Sequence, residues 1–377
     1  MDLDLPAEYE DFRAVVRDFA ATRIAPVAEE LDREHRFPYA IVAEMAELGL
    51  MGIPFPEEVG GAGGDTLTYA IAIEELTRVD ASVGVTVAAH TSLGTMPIHL
   101  FGTDAQRAEL LPDLVSGRAL AAFGLTEPEA GSDAGNPRTR AELEDGMWRI
   151  NGSKMFITNS GTDISRCVTI TARTGDDEIS TIIVPNGTPG YTQSAPLRKM
   201  GWHASDTREL TFADCRVPEA NLLGPRGMGF KQFLQILDGG RISIAAMGLG
   251  TMQAAYDLSV VYAAERNQFG RPIKDFQAIR FKLADMAVDL AAARALVYRA
   301  AWLKDQGRPY AHEASIAKLF TGEGSNRAVN QAVQIHGGYG YMDEYPISRI
   351  YRDQKVLEIG EGTNEVQRLV IARGLGL

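Results

Sequence analysis

The chain of 377 residues, with 45% hydrophobic and 23% charged residues, has the composition of a globular protein long enough for two or three domains, which excludes a largely disordered chain. Its net charge of -13 excludes a general attraction to nucleic acid or to an anionic membrane, so an anionic ligand must be held by local groups. No uninterrupted apolar stretch of about 18 residues occurs, which argues against a membrane-spanning helix.

The N-terminus and the cysteines bear on the compartment. The first residues are acidic and lack the basic region and apolar run of a targeting signal. Cys167 and Cys215 form no CxxC pair and no Cys/His cluster, which suits a reduced compartment, although a single bridge between them stays open. We therefore predict a cytoplasmic protein.

Helical periodicity marks the first part of the chain, which we interpret as a helical domain at residues 1–120. A helix with one buried face is predicted from Glu8 to about Glu34. The apolar spacing is carried by Phe12, Val15, Val16 and Phe19, then by Ile41, Met45 and Leu48, and then by the run from Leu67 to Val79. Thr103 and Gln106 form the pattern of a capping box, which predicts a helix from Asp104 to about Val115.

Between residues 121 and 225 the period changes to that of strands. Short β-branched or aromatic runs occur at Trp148 and Ile150, Cys167 to Thr171, Thr181 to Val184 and Leu210 to Phe212. Residues 226–377 return to strong helix formers in three long stretches, Phe233 to Glu265, Gln277 to Gln306 and Glu313 to Ile335. Because strands and helices are segregated, the order predicts an α+β fold and argues against a doubly wound nucleotide fold.

Familiar catalytic motifs are absent from the sequence. It contains no GxGxxG between a strand and a helix, no GxxxxGK[ST], no HExxH and no GxSxG. Six scattered histidines form no metal constellation, so no bound metal is predicted. His336, beside two glycines, is more simply a packed or solvated helix-end residue than a catalytic one.

Four glycine-punctuated polar segments remain, and each has a functional and a structural interpretation. The segment Phe123 to Asp133 combines a flexible glycine with two hydroxyls, which suits a polar ligand or a tight interdomain turn. The segment Lys154 to Asn159 ends a strand with an aromatic side chain, which suits covering a flat ring or ordinary strand packing. The segment Glu265 to Gly270 places Arg266 at a helix end, where a phosphate or a carboxylate is an equally good partner.

The fourth segment, Ile359 to Asn364, sets Glu361 between two glycines directly before the last helix. Small neighbours allow a substrate to approach the carboxylate, and partial burial would raise its pKa toward the working pH, as a general base requires. The alternative is a solvated glutamate in the first helical turn, which the helix dipole favours.

Together these segments resemble the acyl-CoA dehydrogenase family over nearly the whole chain. The resemblance is carried, in family order, by LTEPEAGSD (Leu125 to Asp133), KMFITN (Lys154 to Asn159), ERNQFG (Glu265 to Gly270), QIHGGYGY (Gln334 to Tyr341) and GEGTNEVQR (Gly360 to Arg368). It implies an N-terminal helical domain, a central β-barrel-like domain and a C-terminal four-helix bundle, which agrees with the divisions at residues 120/121 and 225/226.

The resemblance implies an FAD cofactor shared between subunits. The residues expected around the flavin and its pyrophosphate are Phe123, Leu125, Thr126, Gly131, Ser132, Phe156, Ile157, Thr158, Thr363 and Glu365. Those expected at the FAD of a neighbouring subunit are Arg266, Gln268, Phe269, Gln277, Gln334, Gly337 and Gly338. A homodimer or homotetramer is therefore implied.

The resemblance also implies dehydrogenation of an acyl-CoA to a trans-2-enoyl-CoA, with electron-transferring flavoprotein as the expected acceptor. Glu361 would take the α-proton while the β-hydride passes to flavin N5. Contacts to the acyl-CoA are expected from Ser132, Asp238, Arg241, Gly362 and Arg373. Some family branches carry the base two residues after the aspartate that matches Asp238, and Gly240 at that position leaves Glu361 as the candidate.

Residues near the expected acyl chain bear on the substrate. Gly360, where several family members carry a larger residue, and Gly239 remove bulk, so we expect the pocket to accept branched acyl groups as well as straight ones. The resemblance implies a short- to medium-chain acyl-CoA substrate, as in fatty acid or branched-chain amino acid catabolism. The resemblance implies that the helix from Ala81 to His99 lines the pocket floor, where it would offer Val85, Ala89 and Leu93 but no arginine, which disfavours dicarboxylic groups such as glutaryl. Alternatives of the same fold are a flavin oxidase, a dehydrogenase of carrier-protein thioesters and, less favoured because the base and the flavin residues are all present, a non-catalytic flavoprotein scaffold.

Overall fold

The computed structural model describes residues 5–377, so residues 1–4 of the acidic N-terminal segment lie outside the described residues. The N-terminal helices are α1 (Ala7–Phe19), α2 (Ala25–Glu34), α3 (Tyr39–Glu47), α4 (Thr66–Val79), α5 (Ala81–Ala88), α6 (Met96–Phe101) and α7 (Asp104–Val115). The helices predicted from apolar spacing are all present. Both hydrogen bonds of the capping box between Thr103 and Gln106 form at the start of α7.

Two predicted helices continue through wide π-helical turns, Ala20–Ile24 between α1 and α2 and Ala89–Thr95 between α5 and α6. Each turn is followed by a proline near the start of the next helix, Pro26 or Pro97. Proline has no N–H for the carbonyl four residues earlier, and its ring crowds that carbonyl. A wider turn carries the helix past the proline, which explains why the helix predicted from Ala81 to His99 forms with a π-helical interior.

The buried face of α1 differs from the predicted one. Val16 and Phe19 are buried as expected, but Val15 is 58% exposed and Arg13 only 6% exposed. The guanidinium of Arg13 lies 3.3 Å from both Glu74 and Glu75 of α4. The spacing of apolar residues does not predict the observed buried face, because one of its positions is occupied by the charged Arg13, which is paired with carboxylates.

A seven-stranded sheet forms the middle of the chain. Its strands are β1 (Leu120–Gly124), β2 (Arg140–Glu144), β3 (Met147–Thr158), β4 (Ser165–Gly175), β5 (Glu178–Pro185), β6 (Tyr191–Gln193) and β7 (Thr207–Pro218). They pair in the order β1-β4-β2-β3-β7-β6, with β5 antiparallel to β4. The predicted strand runs lie in β3, β4, β5 and β7, and the sheet has a core of its own that includes Trp148 and Phe212.

Helices return after the sheet. They are α8 (Gly229–Glu265), α9 (Gln277–Asp305), α10 (Ala311–His336), α11 (Pro346–Gln354) and α12 (Asn364–Gly374), with a short hairpin of β8 (Asn267–Gln268) and β9 (Arg271–Pro272) between α8 and α9. Buried residues of α4, α8, α9 and α10 belong to one hydrophobic cluster, so the helices at both ends of the chain share a core. The fold is the predicted α+β fold, with helical N- and C-terminal parts around a central sheet, and the exact divisions at residues 120/121 and 225/226 stay a prediction.

Within residues 5–377, no helix is both long and apolar enough to cross a membrane, and no group of three His, Cys, Asp or Glu residues is placed to hold a metal ion. Cys167 and Cys215 are both buried and unbridged, which answers the question that their sequence positions left open.

Candidate active site

Glu361 lies in a tight turn directly before α12. Thr363 is the N-cap of that helix, and its Oγ1 accepts a hydrogen bond from Val366 N at 3.3 Å. The backbone of Glu361 is left-handed with a φ of 53°, an uncommon conformation for a residue with a side chain, and Gly362 follows with a φ of 90°. Glu361 is therefore not a solvated residue of the first helical turn, and its side chain lies against α8.

Glu361 is partly buried overall, but its Oε2 is fully buried and has no hydrogen-bond partner among residues 5–377. It occupies space beside Gly240 of α8, where a Cβ would come within 3.0 Å of Oε2 and to 2.9 Å from Cδ2 of Leu93. Burial raises the pKa of Glu361 to about 7, although the positive charges of Lys318 and Arg241 oppose the shift. The absence of a side chain at position 240 thus creates the place for this carboxylate.

Arg241 of α8 is one of the two cations near Glu361. It is buried, and its Nη1 lies 2.6 Å from Oδ1 of Asp238 and 3.4 Å from Oγ of Ser315. Its Nε has no hydrogen-bond partner in the described part of the chain. The structure therefore brings the predicted residues Asp238 and Arg241 together, with Arg241 close enough to act on the charge of Glu361 and its buried Nε–H still available.

Lys318 of α10 is the second cation, and the sequence interpretation missed it. Its buried Nζ donates to the carbonyl oxygen of Gly362 at 2.8 Å and to Oδ1 of Asn364 at 3.2 Å, which fixes the turn that carries Glu361. Burial lowers the pKa of Lys318 to about 8, and the charge of Glu361 opposes that shift. The available signal was a serine and a lysine three residues apart, Ser315 and Lys318, on an otherwise small and apolar stretch of α10.

The end of β1 brings Phe123 and Leu125 to the same region. Phe123 stacks on Phe233 of α8 with ring centroids 4.0 Å apart, and both predicted residues pack against a small cluster that contains Leu93. Because Leu93 also lies against position 240, the end of β1 adjoins the surroundings of Glu361.

The loop after β1 is shaped by a buried carboxylate. Glu127 accepts a hydrogen bond from Nζ of Lys154 at 2.7 Å and further bonds from the N–H groups of Arg138 and Thr139. These bonds close the loop and leave its tip in solvent. The predicted residues at the tip, Gly131 and Ser132, are exposed, and a Cβ built at Gly131 meets no atom within 4 Å.

The end of β3 lies beside that loop, because Met155 N donates to the carbonyl oxygen of the predicted residue Thr126 at 2.8 Å. The register of β3 against β7 shifts between Lys154 and Ile157. This irregularity turns Phe156 outward, with a φ of 63° and 66% exposure, and Thr158 is half-buried. The side chain of Ile157 lies in the core of the sheet, so it is the backbone of Ile157 that faces the candidate ligand site.

A cavity of about 550 Å³ lies on the C-terminal helices, between the end of α8 and the end of α10. Four of the predicted residues line it, namely Arg266, Gln268, Gly337 and Gly338. The guanidinium of Arg266 lies 5.4 Å from the centre of the Tyr339 ring and makes no ion pair within residues 5–377. His336 also lines the cavity, stacked on Tyr262 at 4.3 Å, so it is a packed residue as the sequence suggested.

Several predicted residues lie neither beside Glu361 nor in the lining of the cavity at Arg266. The following are exposed and lie outside the cavity lining: Phe269, Gln277, Gln334, Glu365 and Arg373. Phe269, at the turn of the β8–β9 hairpin, is 94% exposed. Within one chain, these residues and Glu361 do not form a single site.

Comparison with known proteins accounts for almost all of the chain. It matches the acyl-CoA dehydrogenase N-terminal domain over residues 6–118, the middle domain over residues 122–215 and the C-terminal domain over residues 227–376. A probable acyl-CoA dehydrogenase of Bacillus subtilis is 54% identical, and a short-chain specific acyl-CoA dehydrogenase of Megasphaera elsdenii is 45% identical, each with 100% of both chains covered.

Solved structures agree with this result. Butyryl-CoA dehydrogenase from Megasphaera elsdenii has a TM-score of 0.97 and 44% identity, with 100% of both chains covered. An acyl-CoA dehydrogenase from Bacillus anthracis complexed with FAD has a TM-score of 0.94 and 35% identity, covering 99% of this chain and 67% of that one. From its sequence, its fold and these relatives, the chain belongs to the acyl-CoA dehydrogenase family.

Proposed function

We propose that the protein oxidises the Cα–Cβ bond of a short- to medium-chain acyl-CoA, straight or branched, to a trans-2-enoyl-CoA, with Glu361 as the base that takes the α-proton. As a member of its family it is an oxidoreductase of acyl-CoA substrates, and FAD is its cofactor. The observation that carries the proposal is the buried carboxylate of Glu361, which has an unpartnered oxygen and a pKa raised to about 7. A carboxylate with such a pKa is partly ionised at neutral pH and is a stronger base than an ordinary glutamate.

The residues at the ends of β1 and β3 fit a flavin. Phe156 offers an exposed flat face, and Gly131 and Ser132 offer open backbone and a hydroxyl on the adjoining loop. We assign Phe123, Leu125, Thr126, Gly131, Ser132, Phe156, Thr158, Thr363, Glu365 and the backbone of Ile157 to this part of the cofactor site. When bound, FAD supplies the acceptor for the two electrons of the oxidation.

The cavity on the C-terminal helices fits a phosphate-bearing group. Arg266 is a cation without a carboxylate partner, in a protein whose net charge is -13. Gly337 and Gly338 leave open space beside it, since a Cβ on either would meet no atom within 4 Å. A free guanidinium beside open backbone suits a phosphate, and we propose that it holds the FAD of a neighbouring subunit, together with Gln268, Phe269, Gln277 and Gln334.

The turn at Glu361 supports proton removal in two ways. The absence of a side chain at Gly240 makes room for the carboxylate, and burial keeps water away from Oε2. The backbone N–H of Glu361 makes no hydrogen bond within residues 5–377, so it is free to donate to the thioester oxygen as negative charge grows there. Asp238, Arg241, Gly362, Ser132 and Arg373 are proposed to contact the rest of the acyl-CoA.

The assembly and the electron acceptor are part of the proposal. Most of the first group of cofactor residues lie on the central sheet and its loops, and the second group lies on the C-terminal helices and the hairpin between them, which fits a homodimer or homotetramer with FAD held between subunits. We propose electron-transferring flavoprotein as the acceptor and the cytoplasm as the location.

Anaerobic titration of the purified protein with butyryl-CoA tests the assignment. We expect the oxidised flavin absorbance to bleach, and isobutyryl-, 2-methylbutyryl- and isovaleryl-CoA to bleach it as well if the pocket accepts branched chains. A protein that binds no flavin, or a flavin that no acyl-CoA from butyryl to octanoyl bleaches, would contradict the proposal. Rapid reoxidation by oxygen would favour a flavin oxidase, and bleaching only by acyl groups on a carrier protein would favour a carrier-protein-thioester dehydrogenase.

A further inference from the structure

The carbonyl oxygen of Gly362, one residue after Glu361, accepts hydrogen bonds from two buried side chains. One donor is Nζ of Lys318 on α10, at 2.8 Å, and the other is Nε2 of Gln367 on α12, at 2.9 Å. Nε2 of Gln367 also lies 3.4 Å from the carbonyl oxygen of Glu361 itself. We call the two side chains and the Gly362 carbonyl the Gly362 clamp. The clamp holds both peptide groups that follow the Cα of Glu361.

The burial of Gln367 is not explained by packing alone. Its side chain is fully buried, yet its Oε1 has no hydrogen-bond partner among residues 5–377. A buried amide oxygen without a donor costs free energy that an apolar side chain of similar length would avoid. What glutamine adds over such a side chain is the amide N–H directed at the two carbonyls. Holding the turn therefore accounts for this residue, whereas fold stability does not.

The turn that the clamp holds has an uncommon backbone. The φ of Glu361 is 53° and that of Gly362 is 90°, and a residue with a side chain adopts the left-handed region only where its surroundings hold it there. A Cβ on Gly362 would lie 2.8 Å from Nε2 of Gln367 and would displace the amide. A change in the φ of Glu361 would rotate its N–H relative to its side chain, because φ is the rotation about the bond between N and Cα.

The helix that carries Lys318 lies close against the same turn. Nζ of Lys318 also donates to Oδ1 of Asn364, the first residue of α12, at 3.2 Å. A Cβ on Gly322, one helical turn after Lys318, would lie 3.1 Å from Oδ1 of Asn364 and 3.1 Å from the carbonyl oxygen of Leu357. The long helix α10 therefore supports the turn directly, with no side chain between them at this point.

From these contacts we infer that Gln367 and Lys318 are positioning residues for proton removal: through the Gly362 carbonyl they hold the carboxylate and the N–H of Glu361 in a fixed relative orientation. The inference rests on the proposed function, which takes Glu361 as the base. Gln367 acts without a charge, whereas Lys318 also acts on the pKa of Glu361 through its charge. Each side chain alone leaves one donor on the carbonyl, so each partly replaces the other.

Anaerobic stopped-flow measurement of flavin bleaching by butyryl-CoA tests the inference. Gln367→Met should lower the limiting rate about threefold and leave the half-saturation concentration and the acidic limb of the pH profile unchanged. Lys318→Met, measured on the plateau above that limb, should also lower the rate about threefold. The double variant should lose about 100-fold, more than the product of the single losses, because the Gly362 carbonyl then has neither donor.

Gln106→Met is the matched control. Gln106 is also buried, and its Nε2 donates to the carbonyl oxygens of Ala220 and Leu222 at 2.8 and 3.0 Å, while its Oε1 accepts from Thr103 N at 2.9 Å. This variant should lower the unfolding midpoint and leave the limiting rate unchanged, whereas Gln367→Met should change the midpoint little. The inference is overturned if both glutamine variants slow bleaching equally, or if the double variant is no slower than the product of the singles.

Crystal structures of the variants separate this inference from the proposed function. In the double variant, the φ of Glu361 should leave the left-handed region and Oε2 should move away from Gly240. An unchanged turn overturns the Gly362 clamp even where butyryl-CoA bleaches the flavin of the unmodified protein. If no acyl-CoA bleaches the unmodified protein, the dehydrogenation is rejected, and a relaxed turn in the double variant would still show that the clamp holds Glu361.

Discussion

Two buried glutamates, Glu127 in the loop after β1 and Glu361 before α12, differ in what surrounds the carboxylate. Burial disfavours the charged form of Glu127, but the charge of Lys154 and the hydrogen bonds from Lys154, Thr139 and Arg138 outweigh it, so its pKa lies below the usual range. Burial raises the pKa of Glu361 to about 7. The positive charges of Lys318 and Arg241 oppose this rise only weakly, because neither makes a hydrogen bond to the carboxylate. Burial alone therefore does not mark a base; burial without a hydrogen-bonded partner does.

The first way to break this comparison is to neutralise Glu361. Glu361→Gln should lower the rate of butyryl-CoA oxidation by about 100-fold or more, because the α-proton loses its acceptor. Flavin content and the unfolding midpoint should stay close to those of the unmodified protein, as Oε2 makes no hydrogen bond that the fold depends on. Steady-state kinetics measure the rate, the flavin spectrum measures the flavin content, and thermal unfolding measures the midpoint. A near-normal rate would reject Glu361 as the base.

The opposite result is expected at Glu127. Glu127→Gln leaves Lys154 as an uncompensated buried charge, which should cost about 3 to 5 kcal/mol of unfolding free energy. Denaturant unfolding measures this loss, and adding Lys154→Met should recover part of it. Glu129→Gln is the control, since its pair with Arg138 at 3.1 Å is exposed and should contribute less than about 1 kcal/mol. Equal stability of the Glu127 and Glu129 variants would show that the buried pair contributes nothing.

Gly240 sharpens the comparison, because it creates the space for Glu361. Gly240→Ala places a Cβ within 3.0 Å of Oε2, so the carboxylate must move. A displacement of about 1 Å in a reacting group can cost up to about 100-fold, and we expect a loss of about tenfold in the rate with FAD retained. Val261→Ala, at an exposed position of α8, serves as the control. An unchanged rate in the Gly240 variant would mean that the position of Oε2 is not critical.

The smallest expected effect concerns pH. The base must be ionised, so the rate should fall as the pH drops through the Glu361 pKa of about 7. Lys318 lowers that pKa, so Lys318→Met should move the acidic limb of the pH–rate profile upward, by about one unit or less. Lys231→Met should leave the limb in place. A limb that stays fixed or moves downward in the Lys318 variant would contradict the electrostatic assignment.

The fold could be predicted from the sequence wherever a pattern was long. The long helices and the strand runs of β3, β4, β5 and β7 are where periodicity indicated. Shorter or mixed elements were missed: β6 has only three residues, and the burial of Arg13 depends on carboxylates about 60 residues away. Local patterns carry no information about such partners.

The sequence by itself determined the α+β order and the positions of the motif residues, and the family resemblance of those motifs is what led us to propose Glu361 as the base. Those features are local, since backbone period, glycine spacing and motif order all lie within short segments. Only the tertiary structure decided that Gly240 and Glu361 share one space, that Ile157 faces the sheet core, and that Lys318 is buried near Glu361. The physical reason is that burial and charge pairing arise between residues distant in the chain, and these set the pKa of Glu361.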